Sequence, residues 1–134
     1  MRVVIDTNVL VSGLLRPYGP PGRVVRLTAA GELVPCYDAR VLLEYGEVLG
    51  RKRFGFHPER VETLLAHIAA GGVRVRGVTP LAIPLPDPDD EIFLEVAIAG
   101  AAEVLVTGNL KHFPEPARAG VTVLAPAELV DLLR

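Results

Sequence analysis

The stretch Met1-Arg2-Val3-Val4-Ile5-Asp6-Thr7-Asn8-Val9-Leu10-Val11-Ser12-Gly13-Leu14-Leu15 decides how the rest of the chain is read. Val3, Val4 and Ile5 are β-branched and run together without polar alternation, the pattern of a strand covered on both faces in a parallel sheet. The run stops at Asp6. Val9, Leu10, Val11, Leu14 and Leu15 then supply the apolar residues of a segment that can wind into a helix. A strand that ends in a carboxylate and turns into a helix puts that carboxylate at the carboxyl edge of the sheet, where open α/β sheets hold their ligands. Asp6 or Asn8 at this position also suits an ordinary helix cap. The stretch by itself leaves both readings open.

Working outward, helices and strands alternate. Residues 16–22 form a Pro/Gly-rich turn, Pro21 opens a helix that runs to Ala30, and Gly31 stops it. Residues 33–37 read as a second strand, and Asp38 caps a helix over residues 39–49 that Gly50 closes. On that helix Val41, Leu42, Tyr45, Val48 and Leu49 make one apolar stripe, with Glu44 on its margin and Glu47 turned towards solvent. An ordinary boundary role for Glu44 is an ion pair with Arg40 or Arg51. Arg51, Lys52 and Arg53, followed by Phe54 and Phe56, form the densest basic cluster, a run that commonly means a solvated loop. Pro58 opens an amphipathic helix with Val61, Leu64, Leu65, Ile68 and Ala69 on one face and His67 opposite, at the surface. Val73 and Val75 alternate with Arg74 and Arg76, which reads as a half-exposed edge strand protected by charge. The proline-rich residues 80–88 are a loop.

The sequence Asp87-Pro88-Asp89-Asp90-Glu91 sets four carboxylates in five positions at the entry to a helix over residues 89–100. Acidic side chains suit a helix N-terminus, which accounts for part of this. Phe93, Val96 and Ala97 face the core and Asp90 lies on their side, whereas Glu91 and Glu95 lie on the other. An inward carboxylate is costly without a partner, so Asp90 is a candidate site residue. Residues 104–106 make another buried strand, ending in Thr107-Gly108-Asn109 and then Lys111, His112 and Phe113. Residues 121–124 form the last strand, and Pro126 opens a closing helix through Leu133. The alternation predicts an α/β fold in which a mostly parallel central sheet of about five strands lies between layers of helices.

Composition sets the outer limits. With 134 residues, 50% hydrophobic and 22% charged, the chain reads as a single domain over residues 1–134 with a proper core. No apolar run reaches the length of a membrane span and the start lacks the features of a signal peptide, so a cytoplasmic location and no membrane partner are expected. Cys36, the single cysteine, lies in an apolar run and reads as a buried free thiol. A formal charge of −2 offers nucleic acid no global attraction, so such a partner needs a local patch or a metal ion. Twelve prolines and no glutamine resemble the habits of heat-adapted proteins.

Asp6, Glu44 and Asp90, far apart in the chain, can converge at one edge of such a sheet, joined by Thr107 or Asn109 from the neighbouring strand end. Oxygen donors of this kind suit Mg²⁺ or Mn²⁺ and not zinc, and the chemistry they imply is phosphoryl transfer. Here the chain resembles the PIN-domain ribonucleases, and within them the members related to VapC toxins. The resemblance is carried by Val4-Ile5-Asp6-Thr7-Asn8-Val9, by Glu44 within Leu43-Glu44-Tyr45-Gly46-Glu47-Val48-Leu49, by Asp87-Pro88-Asp89-Asp90-Glu91-Ile92-Phe93-Leu94 and by Val106-Thr107-Gly108-Asn109. Each piece is short; their order and spacing over essentially the whole chain carry the likeness.

The resemblance implies a PIN-like three-layer fold and a divalent ion, Mg²⁺ or Mn²⁺, held by Asp6, Glu44, Asp90 and the position of Asn109. Asn109 departs from the family's usual Asp: it offers a carbonyl oxygen but removes one negative charge. If Asn109 is only a turn residue, Asp87 is the expected fourth carboxylate. The implied activity is metal-dependent cleavage of an RNA phosphodiester, with Asp6, Glu44 and Asp90 as the catalytic residues. Thr7 and Thr107 are expected to contact phosphate or steady the carboxylates, and Arg51, Lys52 and Arg53 to position the RNA backbone. A cognate antitoxin and a homodimer follow from the resemblance alone. Two other readings compete: a catalytically weakened RNA-binding or regulatory module, suggested by Asn109, and a phosphate-handling receiver-like or dehalogenase-like domain. The last fares worst, because a dehalogenase-like site wants Asp where Asn8 stands and no acceptor Asp follows a middle strand.

Overall fold

The computed structural model describes residues 1–134. In chain order the elements are β1 (Arg2–Ile5), α1 (Thr7–Leu15), α2 (Pro20–Ala29), β2 (Val34–Tyr37), α3 (Ala39–Leu49), α4 (Pro58–Gly71), β3 (Val73–Arg74), α5 (Glu91–Ala99), β4 (Val104–Val106), β5 (Thr122–Leu124) and α6 (Pro126–Leu132). Five strands form one sheet in the order β3-β2-β1-β4-β5, and every pairing is parallel. Parallel neighbours need crossovers, which the helices supply except between β4 and β5, where two short 3₁₀ turns make the connection. Val3, Val4 and Ile5 are all sealed from solvent. Since successive strand residues point to opposite faces, the sheet is covered on both.

The order places the functional edge. From β1 the chain adds β2 and β3 on one side, then returns to add β4 and β5 on the other. The carboxyl ends of β1 and β4 therefore straddle the point where strand order reverses, the place where open α/β sheets hold their ligands. Asp6 follows β1 and Thr107 follows β4, and both extend the ladder: the Asp6 N–H donates to the Val106 carbonyl and the Thr107 N–H to that of Leu124, each at 3.0 Å.

Tyr45 fastens the adjoining helices. It is fully buried, its hydroxyl donates to the Ile5 carbonyl at 2.5 Å, and its ring stacks on Phe93 with centroids 6.3 Å apart. One side chain thus ties α3 and α5 to the end of β1. Burial, with the charge of Asp6 adding to it, pushes the Tyr45 hydroxyl far up, so it stays a neutral donor.

Several expectations need correction. The short regular edge strand stops at Arg74, although Val75 is buried and its N–H still reaches the Tyr37 carbonyl at 2.7 Å. Residues 88–90 form a separate 3₁₀ turn before α5 begins at Glu91. His67 is half-buried, not a free surface group, and its Nε2 lies 3.0 Å from the Thr28 carbonyl, joining α4 to α2. Glu95, expected to face away from the core, is only 9% exposed and takes an ion pair from Arg40 at 2.7 Å. The reason is that the middle of α5 has no free face: residues 93–97 are buried in succession, and only Ile98 and Ala99 at its end are exposed. An acidic side chain on a stretch enclosed all round must find a cation, and Arg40 reaches it from the start of α3.

Candidate metal centre

Asp6 occupies the cap position of α1, yet its side chain makes no capping hydrogen bond; the Asn8 N–H is near enough to favour the charge but short of capping geometry. Its Oδ2 instead accepts the Thr107 hydroxyl at 2.8 Å, and the Asn109 N–H donates to that same hydroxyl oxygen at 3.1 Å. The strand ends of β1 and β4 are thereby joined through one carboxylate. Asp6 is 3% exposed. Burial pushes the pKa of Asp6 up from the ordinary carboxylate value, with the Glu44 charge adding to the rise and Thr107 opposing it.

Glu44 reaches this edge from α3. Neither Arg40 nor Arg51 pairs with it: Arg40 binds Asp38 and Glu95, and Arg51 binds Glu47. Its Oε2 accepts the Thr7 hydroxyl at 2.5 Å, linking α3 to the first turn of α1. Both threonines donate to carboxylates. A hydroxyl has one proton to give, so donation to a phosphate would require either to release its carboxylate.

Asp90 ends the 3₁₀ turn of residues 88–90 and lies at the start of α5, 8% exposed. Asp87 opens that turn, its Oδ1 accepting the Asp89 N–H at 3.0 Å. His112 faces them from the short turn after β4. Its Nδ1 lies 2.8 Å from Asp90 Oδ2. The contact misses the line a ring N–H requires, so Oδ2 is enclosed without a hydrogen-bond partner. Ligand atoms of Asp87, Asp90 and His112 all lie within 4.8 Å of one another. Burial pushes Asp90 up to about 6, helped by the charges of Asp6 and Asp87 and opposed by His112. On the far side of the imidazole, Asn109 Nδ2 lies 2.9 Å from Nε2.

These groups fit a divalent cation. Two buried carboxylates from separate elements repel each other, no arginine or lysine pairs with either, and one of their oxygens lacks any hydrogen-bond donor. A hard cation with oxygen ligands removes each of these penalties.

The sequence profile of the PIN domain matches residues 2–111. The chain belongs to the PIN domain family, whose members are typically nucleases. An uncharacterized Methanocaldococcus jannaschii protein, MJ1680, is 31% identical over 113 residues, which cover 81% of this chain and 71% of that protein. Among solved structures, a chain of VapBC2 from Rickettsia felis, determined bound to a DNA fragment from their promoter, superposes with a TM-score of 0.58. That match covers 93% of this chain and 98% of that one at 17% identity, so the fold is shared.

This PIN domain brings its candidate residues together in two groups. Asp6, Thr107, Glu44 and Thr7 meet where β1, β4, α1 and α3 adjoin, and Asp87, Asp90 and His112 meet beside the start of α5. The Asn109 side chain contacts His112 and no carboxylate. Arg51, Lys52 and Arg53 make no ion pair with any of these acids; Arg53 instead covers the Phe54 ring at 4.8 Å, and Phe54 stacks on Phe56. No helix is long and apolar enough to cross a membrane. His112 is the residue the sequence reading passed over. Its only signal was position, three residues after Asn109, close enough for the next turn to fold the ring back onto the strand end.

Proposed function

We propose that this PIN domain is a divalent-metal-dependent endoribonuclease that hydrolyses RNA phosphodiester bonds. The observation that carries the reading is the pair of buried carboxylates, Asp6 and Asp90, raised by burial and proximity at the carboxyl edge of β1, with Asp90 Oδ2 lacking a hydrogen-bond donor. Asp6 and Asp90 would hold the ion, Mg²⁺ or Mn²⁺, with Glu44 ligating directly or through water and Asp87 as the remaining candidate donor, while the Asn109 amide faces His112 instead. A bound ion supplies an activated water and neutralises charge developing on the phosphate. Thr107 and Thr7 hold Asp6 and Glu44 in place and so keep the geometry ready before substrate arrives. Arg51, Lys52 and Arg53, exposed beside the half-buried Phe54 and Phe56, position the RNA backbone without reading its sequence.

The same reading makes the protein the toxin of a toxin-antitoxin pair, acting in the cytoplasm as a homodimer and held in check by an antitoxin protein. The likeness to a VapBC2 chain supports this at the level of fold. A second reading is favoured by one residue: Asn109 leaves the site a charge short of the family's usual set, as expected for a weakened RNA-binding module.

The test is cleavage of single-stranded RNA by purified protein with Mn²⁺ or Mg²⁺. Cleavage that EDTA abolishes, and that Asp6→Asn and Asp90→Asn each reduce at least about a hundredfold without altering circular dichroism, is the expected result. Activity that persists in EDTA or in both variants would overturn the metal-nuclease reading. RNA binding without cleavage would favour the weakened module.

A further inference from the structure

The Asp87, Asp90 and His112 group is more than a set of carboxylates, because an imidazole nitrogen stands among the oxygens. An octahedral ion with bonds of about 2.1 Å holds adjacent ligand atoms about 3 Å apart and opposite ones about 4.2 Å apart. The 2.8 Å between His112 Nδ1 and Asp90 Oδ2 matches an adjacent pair, and the 4.8 Å limit on the whole group needs only slight contraction to meet the opposite distance. Were His112 simply a counter-charge for Asp90, its N–H would point at the carboxylate. It does not, and Oδ2 stays without a hydrogen-bond partner although Asp90 is more than nine-tenths buried.

Asn109 completes the arrangement from outside. Its amide faces Nε2 at 2.9 Å and can present either NH₂ or oxygen to that nitrogen. With Nδ1 bound to an ion, Nε2 carries the proton and Asn109 Oδ1 accepts it, the outer hydrogen bond that metal-bound histidines ordinarily make. With the site empty of metal, the rotated amide donates instead. An aspartate here could only accept, so asparagine serves both states, which gives the departure at this position a physical role.

We infer that Asp87, Asp90 and His112 form a nitrogen-containing cation site, with His112 Nδ1 a direct ligand and Asn109 its orienting partner, that binds a first-row transition dication in preference to Mg²⁺. Imidazole suits transition ions, whereas Mg²⁺ favours an all-oxygen shell and gives up its waters reluctantly. A site of carboxylates alone would show a smaller preference, resting only on the reluctance of Mg²⁺ to lose its waters. The inference rests on the metal-centre reading, but not on RNA being the substrate.

The test uses the full chain, stripped of metal and titrated with Mn²⁺ in the absence of RNA. Pulsed electron paramagnetic resonance of the Mn²⁺-loaded protein is expected to show nuclear modulation from a directly bound imidazole nitrogen. That signal should vanish in His112→Gln and survive in His57→Gln. The ratio of Mn²⁺ to Mg²⁺ affinity should fall about tenfold or more in His112→Gln, while Mg²⁺ affinity changes little. Absence of nitrogen modulation in the wild type, or its survival in His112→Gln, would overturn the inference, and the wild-type spectrum alone is decisive if the variant misfolds. Nitrogen modulation without RNA cleavage would sink the ribonuclease reading and leave this one standing; cleavage with an all-oxygen Mn²⁺ shell would do the reverse.

Discussion

The two halves of the site differ in how well they are satisfied without an ion. In the half built on the strand ends, Asp6 accepts from Thr107 and Glu44 from Thr7, so each carboxylate has a hydroxyl donor drawn from another element. In the half built at the start of α5, Asp90 has an imidazole beside it at an unfavourable angle and an oxygen with no donor. The difference teaches that the strand-end half is organised by folding alone, while the helix-start half holds a deficit that folding leaves unresolved. A buried acceptor without a donor costs on the order of 1–3 kcal/mol. Such a cost concentrated at one atom marks where a ligand is wanted.

Removing the charge at the helix-start half should give the largest change. Asp90 holds its proton more readily in the folded chain, at about 6, than in the unfolded chain, at 3.8. Its contribution to stability is therefore fully present below 3.8 and is lost as pH rises through about 6. In EDTA at pH 7, Asp90→Asn should be more stable than the wild type by on the order of 1–3 kcal/mol. The advantage should shrink as pH falls and vanish below the unfolded value, as read from urea unfolding across the range. A variant less stable than the wild type at pH 7 would show that Asp90 is already satisfied and would dissolve the contrast between the halves.

Loading the site with Mn²⁺ should narrow the contrast. Binding to the folded chain alone raises the melting temperature, by several degrees at concentrations well above the dissociation constant. Glu44→Gln should reduce that increment, whereas Glu47→Gln should leave it intact, because Glu47 is 70% exposed and faces Arg51. Equal increments in the two variants, measured by scanning calorimetry, would remove Glu44 from the site.

The smallest effects sharpen the comparison within the satisfied half. Thr107→Val deletes a buried hydroxyl that serves both Asp6 and the Asn109 N–H, and should cost about 1–2 kcal/mol. Thr7→Val leaves the half-buried Glu44 access to water and should cost less, about 0.5–1 kcal/mol. Chemical denaturation that ranks the two in the opposite order would place the better-organised contact on α1 instead of between β1 and β4.

The sequence by itself determined the frame: an unbroken β-branched run for β1, a capped amphipathic helix for α3, alternating elements for a parallel sheet, and the inward side of Asp90. These are local properties, set by periodicity and by the conformational preferences of neighbouring residues. The likeness to PIN domains was legible for the same reason, because its short motifs lie at strand ends and helix starts whose order along the chain is also their order in the fold. Only the tertiary structure decided the rest. Whether Asp6 caps a helix or joins two strand ends depends on Thr107, which lies 101 residues away. Glu44 is a boundary residue on its helix and becomes part of the site only because Thr7 meets it across the sheet edge. Glu95 looks solvent-facing on a helical wheel, yet the middle of α5 is enclosed all round and Arg40 must reach it. His112 lies 22 residues after Asp90 with no shared periodicity, and the two meet because β4 returns beside β1 and delivers the turn that carries the ring. Side chains brought together by a crossover leave no periodic trace along the chain, since the distance between them is set by strand order and packing and not by local repeat.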